Sequence, residues 1–229
     1  SKMREIEAFV KTVTVDRFTL EQMITAKEFV EGGGKQIKQD LLDMIREGRM
    51  ELISMYTQPD VFLSPQELEF WNFEFGERVA RELGGEPSVD KYLPDSFGQP
   101  RTAPMVAKHA GKRSIISMRG FEHDWPLFMW ESPDGSRMPT FMIPGGYANA
   151  GHLTYPGVER DEVSPQEYYY RQVDAASVAI RGLMNRYGHR YKNIDLPHLL
   201  VMNGNDFTKP DEDLPEVLEG VQEKIRDEL

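Results

Sequence analysis

The stretch Tyr92-Leu93-Pro94-Asp95-Ser96-Phe97-Gly98-Gln99-Pro100 decides how the rest of the chain is read. An apolar approach ends in an acid, a small turn and a proline, and an alanine-rich helical pattern follows. α/β proteins present a carboxylate in this way at the carboxyl end of a strand, where such folds carry their chemistry. Asp-Ser-x-Gly is equally good turn chemistry, so spacing alone leaves the catalytic and structural readings both open.

Outward from that stretch, strands and helices alternate. Before it, helical spacing is expected over residues 3–12, 21–30 and 37–45, with strands at 12–20 and 50–56. Ser64-Pro65-Gln66-Glu67 has capping-box spacing and predicts a helix presenting Leu68, Trp71, Phe75 and Val79 on one face until Gly84-Gly85. The same tetrapeptide at 164–167 opens a helix to about Met184. Between them, strands are expected at 112–118, 128–131 and 138–143, the last two joined by the hairpin turn Ser132-Pro133-Asp134-Gly135-Ser136. Residues 147–157 are glycine-rich and irregular, a short strand is expected at 198–202, and 214–229 reads as a charged amphipathic helix. This order predicts an α/β protein of βα units around a mainly parallel sheet or barrel, with residues 1–229 forming a single domain.

Composition bounds the function. Of 229 residues, 39% are hydrophobic, with three Trp, twelve Phe and nine Tyr, enough to fill a substantial core. Cysteine is absent, which excludes disulfides and thiolate metal sites and fits a reducing compartment. The net charge of −11 and the lack of a Lys/Arg-rich run argue against nucleic acid as a partner. No apolar run is long enough to span a bilayer and no signal peptide opens the chain, so the expectation is a soluble, cytoplasmic protein with no membrane partner.

Asp95 and Asp206 both follow expected strands, and a pair of acids is the minimum equipment for glycosidic-bond hydrolysis. Many barrels carry two such acids without being glycosidases. Tyr92 to Gly98, followed by a helix ending in His109-Ala110-Gly111, resembles the nucleophile segment of glycoside hydrolase family 38, the retaining α-mannosidases. The likeness extends to Ile45–Arg49 and Tyr56–Asp60, to Arg78–Gly85, to Met129–Arg137 and to Met202–Phe207, and it is strongest with bacterial members.

The resemblance implies a distorted (β/α)7-type barrel with mainly parallel strands, incomplete at the N-terminus, and a chain that acts on α-mannosides. It implies that Asp95 is the nucleophile and also a zinc ligand, and that Asp206 is the acid/base. A retaining mechanism needs about 5–5.5 Å between two such carboxyls. By the same resemblance Phe97 sits beside the sugar ring, Arg119 near the nucleophile, and Tyr147 touches sugar. Zinc is the expected cofactor, but the family's His-x-Asp zinc motif is absent from this sequence. That places the start of the chain about one strand late, with the last zinc histidine and the β domains downstream. Only Asp95 of four expected ligands remains, too few to hold zinc, and this piece is expected to be inactive alone.

His109, His123, His152, His189 and His198 lack metal-ligand spacing and read as structural or solvated. Trp71, Trp125 and Trp130 read as core or rim packing, and Asp60 as either a mouth or a turn residue. A missing strand would expose two sheet edges, so self-association into a homo-oligomer is expected. The competing reading is a non-catalytic carbohydrate-binding or interaction module on a decayed barrel. A metal-dependent deacetylase-like barrel is disfavoured by the lack of paired histidines.

Overall fold

The structure, a computed structural model, describes residues 18–121, 125–151, 153–155, 157–188, 200–206, 208 and 210–227. The expected helix at 3–12, most of the strand at 12–20 and residues 198–199 lie outside them. The chain divides into two compact units, one within residues 18–144 and the other within 145–227.

In the first unit, strands β1 (Phe18–Leu20) and β2 (Met50–Leu52) pair in parallel. Strands β3 (Asp90–Tyr92), β4 (Ser114–Ser117) and β6 (Arg137–Met142) form a parallel run, and β5 (Leu127–Glu131) pairs antiparallel with β6. An isolated parallel bridge between Leu52 and Pro87 lays the approach to β3 beside β2. The α/β class and the mainly parallel pairing are as expected. The described strands nevertheless form two open sheets and no closed barrel. The 132–136 turn folds β5 back onto the outer edge of β6, where a further parallel strand would otherwise pair.

Helices α1 (Met23–Gly32), α2 (Lys35–Arg46), α3 (Gln66–Glu82) and α4 (Ala103–His109) fill the connections. Two expectations for α3 fail. Pro65 is extended (ψ 143°), so the helix starts at Gln66 and Ser64 makes no cap. Ser164, by contrast, accepts the Glu167 N–H at 3.2 Å and opens its helix as expected. The apolar face is also only partly as expected: Val79 is buried, but Leu68 and Trp71 are 55% and 51% exposed, and Glu69, Phe73, Gly76 and Ala80 are buried instead.

The reason lies under the helix. Lys91, fully buried in β3, pairs with the buried Glu69 carboxylate, and that bond rotates α3 about its axis. Gly76 then lies against the chain at Ser54–Tyr56, where a Cβ would come within 2.4 Å of the Ser54 carbonyl oxygen. A second pair supports the same helix. Lys112 Nζ donates to Glu77 Oε1 at 2.6 Å and lies 5.4 Å over the Phe73 ring. Burial pushes the Glu77 carboxyl up, but the hydrogen bonds from Lys112 and Arg81 outweigh it and hold the group below its ordinary pKa.

The second unit is a helix pair, α5 (Pro165–Tyr187) and α6 (Leu214–Asp227). Val173 and Ala176 of α5 share a core with Val217 and Val221 of α6, closed by Ala150 and Leu153. The expected strand at 198–202 is absent from its described part, 200–202. The Met202 N–H goes to the Asn149 side chain at 2.7 Å, so this segment is held by a loop rather than a strand neighbour.

Removing one partner of the buried pair leaves an unpaired charge, so Glu69→Leu or Lys91→Met is expected to cost about 3–5 kcal/mol. The double variant should recover most of that loss in urea unfolding, and simple addition of the two losses would contradict the account. Because the folded pKa of Glu77 is lowered, its contribution is present above the unfolded pKa of about 4.3 and is lost as pH falls through the folded value. Glu77→Gln should therefore melt lower than the parent at pH 7, and the gap should narrow as the pH falls below the unfolded pKa and through the folded one.

Candidate active site

Asp95 lies three residues past the end of β3, at the carboxyl end of the strand as expected. Leu93 N–H donates to the Ile116 carbonyl (3.0 Å) and Met118 N–H to the Pro94 carbonyl (3.2 Å), so strand pairing persists up to the acid. The turn that follows is strapped from inside. The Ser96 hydroxyl reaches the Gly98 carbonyl at 3.0 Å, and Gln99 Nε2 approaches the Ser117 hydroxyl at 3.3 Å. Ser117 in turn donates to the Leu93 carbonyl at 3.2 Å.

Two glycines bring the loops together. Gly120 has φ +91°, and a Cβ there would lie 2.9 Å from the Gln99 nitrogen and 3.1 Å from Gly98 Cα. Backbone thus packs on backbone, and this contact delivers Arg119. Its Nε donates to Asp95 Oδ1 at 2.6 Å, and its guanidinium lies 4.7 Å over the Phe97 ring. The structure therefore brings Asp95, Phe97 and Arg119 together. The ion pair is half exposed (43% and 45%), and Phe97 is 71% exposed.

Sequence reasoning passed over several supports. Gln58 Nε2 reaches the carbonyls of Glu21 (2.8 Å) and Tyr92 (3.1 Å), tying β3 to the start of α1. Phe62, 61% exposed, fills the space over Gly98 where a Cβ would otherwise stand. Asp60 takes the expected turn role, its carbonyl accepting Leu63 N–H at 2.9 Å, and its carboxylate lies 3.5 Å from the Ser96 hydroxyl. Gln58-Pro59-Asp60, a turn sequence a few residues past β2, was the available signal.

In the second unit Asp206 is exposed, and the Tyr147 hydroxyl lies 3.2 Å from each of its carboxylate oxygens. Tyr147 is thus a partner of Asp206, a contact its expected role at sugar did not include. Asn205 Oδ1 accepts the Asp206 N–H at 2.9 Å and fixes the backbone there.

His109 ends α4, where Nδ1–H donates to the Met105 carbonyl at 2.9 Å. The other four histidines lie outside the described residues. Trp130 packs on the Ala103, Ala107, Ile115 and Met138 core, whereas Trp71 and Trp125 are half exposed. Among the described residues no group of three or more His, Asp or Glu could hold a metal ion. Asp95 itself faces a guanidinium, so these donors do not fit zinc. No helix among the described residues is long and apolar enough to cross a membrane.

The family model for the glycosyl hydrolases family 38 N-terminal domain matches residues 4–227. A Halalkalibacterium halodurans protein named "Putative mannosylglycerate hydrolase" is 24% identical over 188 residues, 76% of this chain and 19% of that protein. Alpha-mannosidase G of Dictyostelium discoideum is 29% identical over 85 residues, 34% of this chain and 8% of its own length. The fold superposes with a TM-score of 0.81 on an alpha-mannosidase from Enterococcus faecalis V583, at 19% identity, covering 98% of this chain and 24% of that one. The chain spans about a quarter or less of these relatives. With an acid at the carboxyl end of a parallel strand and a family match along nearly its whole length, the chain belongs to glycosyl hydrolases family 38, whose N-terminal domain it matches.

Proposed function

We propose that this domain carries the reacting carboxylates of a retaining α-mannoside hydrolase. Asp95 attacks the anomeric carbon while Asp206, protonated, gives its proton to the departing glycosidic oxygen. The mannosyl ester on Asp95 is then cleaved by a water whose proton Asp206 takes, and net retention results. The observation that carries the reading is Asp95 held half exposed at a strand end by Arg119, beside the open Phe97 ring. Arg119 holds the carboxylate aimed through its hydrogen bond, and Phe97 offers an apolar face to the sugar. The Tyr147 hydroxyl orients Asp206.

Full turnover belongs to a longer form of the protein, and the 229-residue chain alone is inactive. A second reading, mannoside binding without hydrolysis, draws on the absence of a metal-holding group among the described residues.

In the longer form, Asp95→Ala should lower aryl α-mannoside hydrolysis by at least about a thousandfold, the scale of losing a covalent nucleophile. Added azide should restore turnover by attacking the vacated face and yielding the β-mannosyl azide. Activity in Asp95→Ala above a tenth of the parent would reject the nucleophile role, and binding without turnover in both forms would leave the binding reading. Gly120→Ala should also lose activity, because the new Cβ displaces the loop that carries Arg119. Gly111→Ala, whose Cβ meets nothing within 4 Å at a similar positive φ, is the control for backbone strain and should stay active.

A further inference from the structure

The turn that bears Asp206 is also the wall of a cleft. Asn203, Gly204 and Asn205 face the first two turns of α5 across a cavity of about 230 Å³, wholly within the second unit. This is room for one pyranose-sized group, below the roughly 300–1,000 Å³ of drug-sized sites.

Its lining is that of a hydroxyl binder. Tyr155 presents a ring that is 59% exposed. Asn205 spends its Oδ1 on the Asp206 N–H, while its Nδ2 has no partner among the described residues. Asp211 accepts from the Thr154 hydroxyl through Oδ2, which leaves Oδ1 to accept from a ligand. Asp213 is already occupied: Arg160 holds both of its oxygens (2.6 and 2.8 Å) and Gln172 adds a third bond at 2.9 Å.

Charge then selects the ligand. The lining contains two carboxylates, Asp211 and Asp213, and no Lys or Arg. The nearby Arg160 is neutralised by Asp213, and its guanidinium covers one face of the Tyr168 ring at 5.4 Å. An anion entering the cleft would meet the Asp211 charge with no partner of its own, a repulsion that a neutral polyol escapes.

We propose that this cleft is a subsite for a neutral, hydroxyl-rich group one pyranose in size, and that it turns away a carboxylated one. It rests on the mannoside reading in that Asn205 both lines the cleft and fixes Asp206, so the bound group is the part of the substrate nearest the proposed acid. A glycan fits this subsite and a small acid such as glycerate does not.

The test is an NMR titration of the chain with methyl α-mannoside and, separately, with glycerate. The mannoside should give saturable shifts at Tyr155, Tyr168 and Asn205, and Tyr155→Ala should weaken them several-fold. Glycerate should leave those signals unmoved in the parent and move them in Asp211→Asn, which keeps an acceptor for Thr154 but removes the charge. The proposal is overturned if the mannoside shifts only Asp95, Phe97 and Arg119, or nothing, or if glycerate binds the parent cleft as tightly. Hydrolysis that survives Asp95→Ala would sink the mannosidase reading while leaving the cleft's response to neutral sugar in place.

Discussion

A lysine buried in the middle of a strand constrains everything around it. Taking the Lys91 ammonium out of water costs several kcal/mol unless a partner and good geometry repay it, and Glu69 is that partner. The bond fixes the rotation of α3, and the consequences run along the chain. Gly76 is brought against residues 54–56, and the Tyr56 N–H reaches the Asn72 carbonyl at 3.0 Å. The Asn72 side chain then holds Thr57 from both sides, accepting its N–H at 2.8 Å and donating to its carbonyl at 2.9 Å. Gln58, next in sequence, ties the carbonyls of Glu21 and Tyr92. A buried charge on one face of β3 thus helps set the strand end from which Asp95 projects.

Much of this was legible in the sequence. The order of strands and helices, the 132–136 hairpin and the position of Asp95 at a strand end all follow from periodicity and turn chemistry. The rotation of α3 did not follow. A hydrophobic-face rule puts Leu68, Trp71 and Phe75 inwards, whereas the helix turns Glu69 in to a lysine 22 residues away in sequence, with Phe73, Gly76 and Ala80 on the same side. Identical capping tetrapeptides also diverge: Ser164 caps its helix, whereas Pro65 is extended and α3 starts one residue later in the motif, so the four residues do not by themselves decide the start. A three-residue strand also hides from a period of two, and so the sequence suggests a longer strand at 50–56 than β2 proves to be.

The candidate site was legible in its acids and not in its supports. Asp95, Phe97 and Arg119 were named from motif resemblance, and their proximity follows from β3 and β4 being parallel neighbours whose trailing loops leave the same sheet end. Tyr147 was named for sugar, yet its contact with Asp206 spans 59 residues and carries no local sequence signal. Gln58, Ser96, Gln99 and Ser117 are ordinary polar residues by composition. Their importance lies in being buried or half-buried beneath a turn, where each missing hydrogen bond would cost about 1–3 kcal/mol.

The two ion pairs anchored on the β3 strand and its trailing loop divide the labour. Lys91–Glu69 is sealed from water, and breaking it is expensive, so it belongs to the fold. Arg119–Asp95 is nearly half exposed, and a pair in that setting adds only about 0–1 kcal/mol to stability. Such a carboxylate can exchange its partner for a substrate at little cost to the folded state. The nucleophile role proposed for Asp95 needs that freedom, since such a group must leave a guanidinium, form a bond to carbon and return. The buried pair makes the weak one useful: because α3 and β3 are locked together without any help from Asp95, the acid at the strand end can be committed to chemistry.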